Sequence, residues 1–418
     1  MNVLHIAAHM GGGIGSAFVG MGTLGYQQSI LLLEEPINKG SLARVEAAGF
    51  KIIIRPNMDE ALQLIQNADV VVFSWMHHPA VTQFLCQLPD VAMHTMLWSH
   101  VSGNYFPAVK PAFLRLFHQC AFATPYTMTL PDVAAMGTDY ANEHFKVVYG
   151  LGEVKRFANV QKRPHDGFVI GYVGTLNFCK LHPRFLDFCA AAADTGAEWV
   201  LIGDPAPSDE LLQGATQRGL MDNIRLVGYS DDILGQLAGM DAFGYLLNPQ
   251  HYGATENALL EAMAAGVPVV ALDQNVERII IKHDQTGFLV DSPEAYTRAI
   301  HHIRNHDVSH MTHKAHADIL ERFDIETNRQ RMRTCMETCA SYEKSIHSFK
   351  DFFGNTPSDW FLSAVDADKD CFTHNRAQDA GRIFHEPTKG SPRHYATYFP
   401  DDVRLKAWTQ QIESAITT

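Results

Sequence analysis

Long apolar runs are missing from this 418-residue chain, and no stretch approaches the ~20 apolar residues that a bilayer crossing needs. Basic side chains are in deficit, 33 against 46 acidic ones, which leaves a formal charge of −13 with the 22 histidines neutral. Such a balance repels phosphate backbones and anionic membranes, so nucleic acid is disfavoured as a partner and any bound anion needs a local device. The seven cysteines, Cys86, Cys120, Cys179, Cys189, Cys335, Cys339 and Cys371, make no CxxC pair. That usage fits reduced thiols better than a disulfide scaffold or a zinc ribbon. No basic stretch and apolar region precede the strand-like run at 3–8, so no signal peptide is visible and a cytoplasmic location is expected.

What the chain does have is an ordinary globular composition, 46% hydrophobic and 19% charged. Its length exceeds the ~250–300 residues at which a single core stops growing, so two large domains, or two plus an appendage, are expected. Short apolar runs at 3–8, 29–33, 51–54, 70–74, 95–98, 121–124 and 146–149 alternate with helix-like stretches. The pattern pauses at 150–152 and across the polar stretch 161–167, then resumes with runs at 168–172, 199–202, 224–227, 242–247, 267–271 and 287–290. Two βα series predict two doubly wound α/β domains, at 1–150 and 168–340, with ligands in the cleft at the carboxyl ends of the strands. Residues 341–418 read as a helical to irregular appendage packed on both domains.

Two segments carry chemistry. His9-Met10-Gly11-Gly12-Gly13-Ile14-Gly15-Ser16 follows the first strand, where backbone amides at Gly12 and Gly13 and a nearby helix start would suit an anion. A flexible turn is the plain alternative, and the match to a dinucleotide fingerprint, with Glu34 or Glu35 as the ribose acid, is weak because Ser16 stands at the third glycine. The second segment runs from Tyr252-Gly253-Ala254-Thr255-Glu256-Asn257-Ala258 through Leu259-Leu260-Glu261 to Gly266-Val267-Pro268. It reads as a polar loop, a short helix with Thr255 as N-cap, a turn and a buried strand. By position alone Glu261 is a helix-surface residue.

This second segment resembles the donor-binding signature of retaining glycosyltransferases of the GT-B fold, the family 4-like group 1 enzymes that transfer sugars from nucleotide diphosphates. The stretches 224–232, 147–157 and 322–325 match the family's spacing in the same order, so the resemblance spans most of residues 1–340 and leaves out the tail. It implies two facing Rossmann-like domains with a central cleft. It also implies that Glu261 holds the ribose hydroxyls, that the amides of Asn257 and Ala258 face the diphosphate, and that Gly228 and Tyr229 lie beside the base. Lys180 matches a diphosphate-binding lysine, whereas Thr175 stands where the family has an arginine, and Arg184 or a helix terminus would have to compensate. The family's second glutamate, eight positions before Glu261, is Gly253 here, with Glu256 as the nearby carboxylate, turned toward sugar hydroxyls or a cation. His100, ending a strand of the first domain, matches a histidine near the sugar and acceptor. His77-His78-Pro79 ends the preceding strand and could also line the cleft, with a structural role as the preferred reading.

The six histidines at 301, 302, 306, 310, 313 and 316 read as a solvated face, so no metal is assigned. The resemblance thus implies a metal-independent transferase with a nucleotide-sugar donor, no further cofactor, and a carbohydrate or other hydroxyl acceptor. Two alternatives stay open: a nucleotide-sugar epimerase or NAD-dependent oxidoreductase, and a catalytically silent subunit of the same fold.

Overall fold

A computed structural model describes residues 1–36, 39–150, 152–204 and 208–417; Leu151, within the expected pause, lies outside the described residues. Seven apolar runs form one parallel sheet: β1 (Asn2–Ala7), β2 (Gln27–Leu32), β3 (Lys51–Ile54), β4 (Val70–Trp75), β5 (Thr95–Ser99), β6 (Gln119–Phe122) and β7 (Phe145–Val147). Their order is β3-β2-β1-β4-β5-β6-β7. A second parallel sheet, ordered β10-β9-β8-β11-β12-β13, contains β8 (Phe168–Val173), β9 (Ala197–Ile202), β10 (Ile224–Gly228), β11 (Ala242–Tyr245), β12 (Val269–Leu272) and β13 (Phe288–Val290). Central strands such as β4 are buried at every position, as helices on both faces of a parallel sheet require. β12 starts two residues later than expected because Pro268 has no N–H to give the ladder. In each sheet the strand order reverses at one place, between β1 and β4 and between β8 and β11.

The described chain divides into two compact units. One comprises Met1–Gly152, Tyr252–Thr255 and Ile325–Thr418; the other comprises Glu153–His251 and Glu256–Asp324. The expected boundary at 340 is therefore displaced. The helix Ile325–Ala340 belongs to the first unit because Met332, Cys335, Met336 and Cys339 are buried in the same core as Val3, Ile30 and Trp98.

The tail has the helical character expected of it. It is largely helical, with helices at Phe349–Phe353, Pro357–Ser363, Pro392–Tyr398 and Val403–Thr417. By compactness it belongs to the first unit. Phe349, Phe353, Phe361, Phe372, Phe384, Trp408 and Ile412 share one core with Phe73, Trp75 and Phe113 of the first unit. Fully burying one such side chain stabilises by about 1.5–3 kcal/mol, so the tail is a structural layer of that unit.

Among the described residues no helix is long and apolar enough to cross a membrane.

Candidate functional site

The site of the second unit grows from the carboxyl ends of β8 and β11, at that sheet's switch point, where open α/β sheets bind ligands. β8 leads through Gly174 and Thr175 to Lys180; β11 ends on Tyr245; the helix Asn257–Ala264 starts close by. Glu256 sits at the helix N-cap in the left-handed region, φ 52° and ψ 57°. That conformation turns its side chain away from the helix amides and into the protein.

Three donors meet the Glu256 carboxylate. Lys180 Nζ lies 2.8 Å from Oε2, Tyr245 Oη donates to the same oxygen at 2.5 Å, and His251 Nε2 lies 3.1 Å from Oε1. Burial alone would raise this carboxyl, but the Lys180 ammonium and His251 overcome it and hold the group well below the usual carboxylate range. Burial and the adjacent Glu256 push the Tyr245 phenol well up. Glu277 completes the cluster. Its Oε1 accepts a 3.3 Å bond from Gln274 Nε2, Oε2 has no partner among the described residues, and burial raises its carboxyl.

Glu261, one turn further along the helix, has the opposite character. No hydrogen bond or ion pair reaches its carboxylate among the described residues, and burial pushes it up to about 7 against the pull of Arg156. The residue is half-buried, so its carboxylate is partly desolvated and still open to a ligand whose hydroxyls would relieve that cost. At the helix start the amides of Asn257 and Ala258 lack intrahelical acceptors, which suits an anion. Gly228, with φ +83°, ends β10, and Tyr229 beside it leaves 79% of its surface in water. Thr175 contributes its carbonyl oxygen to a 3.2 Å bond from Tyr172 Oη.

The second unit thus brings Lys180 and Glu256 together, with Glu261 further along the same helix beside Arg156, but Lys180 pairs with Glu256 instead of standing alone as a phosphate ligand. Arg184, considered as a compensating cation, is held 3.1 Å from Asp187. Thr255 does not cap the helix: its Oγ1 donates to Ala123 O at 3.2 Å and accepts from Gly150 N at 3.1 Å, within the first unit. Tyr245, His251 and Glu277 were not legible in the sequence. The one available signal was the place of Tyr245 at the carboxyl end of a parallel strand.

In the first unit the helix Gly12–Met21 begins directly after Gly11, so Gly12 and Gly13 supply its first amides. Gly15 is sterically required, since a Cβ there would lie 2.4 Å from Ser41 Oγ and 2.6 Å from Met10 O. His100 follows β5 with Nε2 sealed from water and without a partner among the described residues, and burial lowers the ring to about 4, so it is neutral near pH 7. Of the histidine run, His301 meets Asp194 at 3.2 Å, His302 stacks on His306, and His316 Nδ1 donates to Ala264 O at 2.7 Å.

Residues 167–306 match the family described as "Glycosyl transferases group 1". The lipopolysaccharide core biosynthesis glycosyltransferase LpsE of Rhizobium meliloti is 28% identical over 141 residues, 33% of this chain and 41% of that protein. The phosphatidyl-myo-inositol mannosyltransferase of Mycobacterium leprae is 31% identical over 127 residues, 29% of this chain and 34% of that protein. The chain therefore spans about a third to two-fifths of the length of these curated relatives. In structure it resembles Anabaena HepE, solved in complex with UDP and glucose, with a TM-score of 0.64 and 18% identity over 81% of this chain and 100% of that one. That likeness is one of fold.

Proposed function

We propose that this chain, a group 1 glycosyltransferase of the GT-B type, moves a sugar from a uridine diphosphate sugar to an acceptor hydroxyl with retention of anomeric configuration. The single observation that carries the donor half of this reading is Glu261. It is a half-buried carboxylate, without a partner among the described residues, one turn into a helix whose first amides lack intrahelical acceptors, and ribose hydroxyls with a diphosphate would answer both needs. The UDP in the HepE complex supports the choice of base.

In this reading the second unit binds the donor and the first unit the acceptor. The diphosphate lies on the amides of Asn257 and Ala258. Tyr229 offers its exposed ring to the base, beside Gly228. Glu256, fixed by Lys180, Tyr245 and His251, accepts hydrogen bonds from the transferred sugar. The Lys180 ammonium then lies one carboxylate away from the developing charge and stabilises it electrostatically. The acceptor hydroxyl attacks the face that the phosphate leaves and passes its proton to that phosphate, so no protein nucleophile is needed. Helix dipole and lysine charge take the part that a divalent cation would otherwise play, and transfer is expected to persist in EDTA.

A thermal-shift panel of UDP, GDP, ADP and NAD tests the reading. Protection by UDP alone is expected. Protection by NAD would instead place the chain among epimerases or oxidoreductases. UDP binding without transfer or donor hydrolysis over a broad acceptor panel would mark a silent subunit. The anomeric proton coupling of the product tests retention.

A further inference from the structure

A second polar cluster stands at the switch point of the first sheet. His9 follows β1, His78 follows β4, and Glu34 follows β2. The tail adds Lys389 and His394 to the same place. The His9 and His78 rings are 5.4 Å apart, the His78 and His394 rings 4.7 Å, and His78 Nε2 lies 3.6 Å from Glu34 Oε1. Tyr398 sits against both His78 and His394 at 5.6 and 5.4 Å, while Lys389 Nζ lies 5.0 Å over the Tyr252 ring. The tail segment is fixed there. Gly390, φ +71°, presses so closely on His77 that a Cβ would lie 2.5 Å from the His77 carbonyl oxygen, and Tyr395 Oη donates to Thr82 Oγ1 at 2.9 Å.

Ligand atoms of His9, Glu34 and His78 lie within 4.8 Å of one another, a spacing a metal could use. The hydrogen bonds argue otherwise. Nδ1 of His9 accepts from Gly11 N at 3.0 Å, Nδ1 of His78 from Ala80 N at 3.2 Å, and Nδ1 of His394 from Gly390 N at 3.1 Å. A neutral imidazole that accepts at Nδ1 carries its proton on Nε2, so each ring offers a donor there and no lone pair. Burial keeps all three rings below the usual histidine range, consistent with the neutral form. The place therefore presents three N–H donors, one ammonium and one carboxylate, flanked by tyrosine rings. A phosphate or carboxylate ligand would face Glu34; an uncharged polyhydroxyl ring would use donors and acceptor together.

We propose that His9, Glu34, His78, Lys389 and His394 form the subsite for a sugar acceptor, and that the two tail residues select which sugar enters. The proposal rests on the transferase reading above. Its test uses the full chain with UDP and saturation-transfer NMR against glucose, galactose, mannose and N-acetylglucosamine in turn, with inorganic phosphate and zinc sulfate titrated by calorimetry as rival ligands. At least one sugar is expected to bind, with affinity at least tenfold weaker in Glu34→Gln and in His394→Gln, while the melting shift given by UDP stays that of the parent. Sugar binding equal in parent and both variants overturns the proposal, as does binding of none of the four sugars, or phosphate or zinc binding abolished by the same substitutions. A parent that shows no UDP shift counts against the donor reading alone, because a sugar signal lost in both variants would still support this subsite.

Discussion

Lys180 and Glu256 form an ion pair at 2.8 Å with 13% and 1% of their side chains exposed, joining a loop after β8 to the first residue before the signature helix. A buried pair of this kind contributes little when intact and costs about 3–5 kcal/mol when one member is removed, since the other is left charged in the interior without its counter-ion. It therefore fixes geometry more than it adds stability.

From this pair follows a double-mutant test. Lys180→Met should lower folding stability by about 3–5 kcal/mol and abolish most transfer. Adding Glu256→Gln should restore much of the stability and none of the turnover. Urea denaturation and transfer assays on the three variants check it; additive stability losses would contradict the coupling.

Glu261→Gln should separate binding from stability. Nucleotide affinity should fall by ~1–3 kcal/mol, the range for a hydrogen bond to a charged group, as read by calorimetry. The nucleotide-free protein should become more stable above pH 7. Because its folded value, about 7, exceeds the unfolded 4.5, the native state binds more protons between those values, and stability falls as pH rises through that window. Glutamine removes this slope.

Acid sensitivity has a different source in each unit. His5 and His100 are lowered to about 4 and His77 to about 3, all chiefly by burial. The unfolded chain takes up protons near 6.5 that these rings refuse, so their share of stability is complete above that pH and is lost as pH falls toward 4. In the second unit Glu256, held below its ordinary 4.5, loses its share only as pH drops beneath that value. Denaturant midpoints recorded from pH 7 to 3 should decline from about 6.5 downward, and His100→Phe should flatten the upper part of the decline.

Phe361, buried among Phe106, Phe372, Phe384 and Trp408, makes the tail testable as core. Phe361→Ala should cost about 3–5 kcal/mol. A chain ending at 340 should fail to give a cooperative melt; a truncated protein melting like the parent would show the tail to be dispensable.

Much of the fold was legible because parallel strands buried on both faces must be continuous apolar runs, as at 70–74 and 95–98, and because turn residues such as Gly266 and Pro268 punctuate them. The tail was less legible. Its aromatics are spaced irregularly over short helices, and nothing local shows which core they enter.

Sequence by itself determined the two βα series, the glycine-rich turn after β1 and the helix bearing Glu261, since each depends on local periodicity or on backbone freedom. Only the tertiary structure decided that Lys180 meets Glu256, that Tyr245 and His251 complete that group, and that residues 389–394 lie against His78. The first and last of those pairings, Lys180 with Glu256 and His78 with His394, join positions 76 and 316 residues apart. Which distant charges and rings meet is set by the packing of whole sheets, and a local pattern carries no record of it.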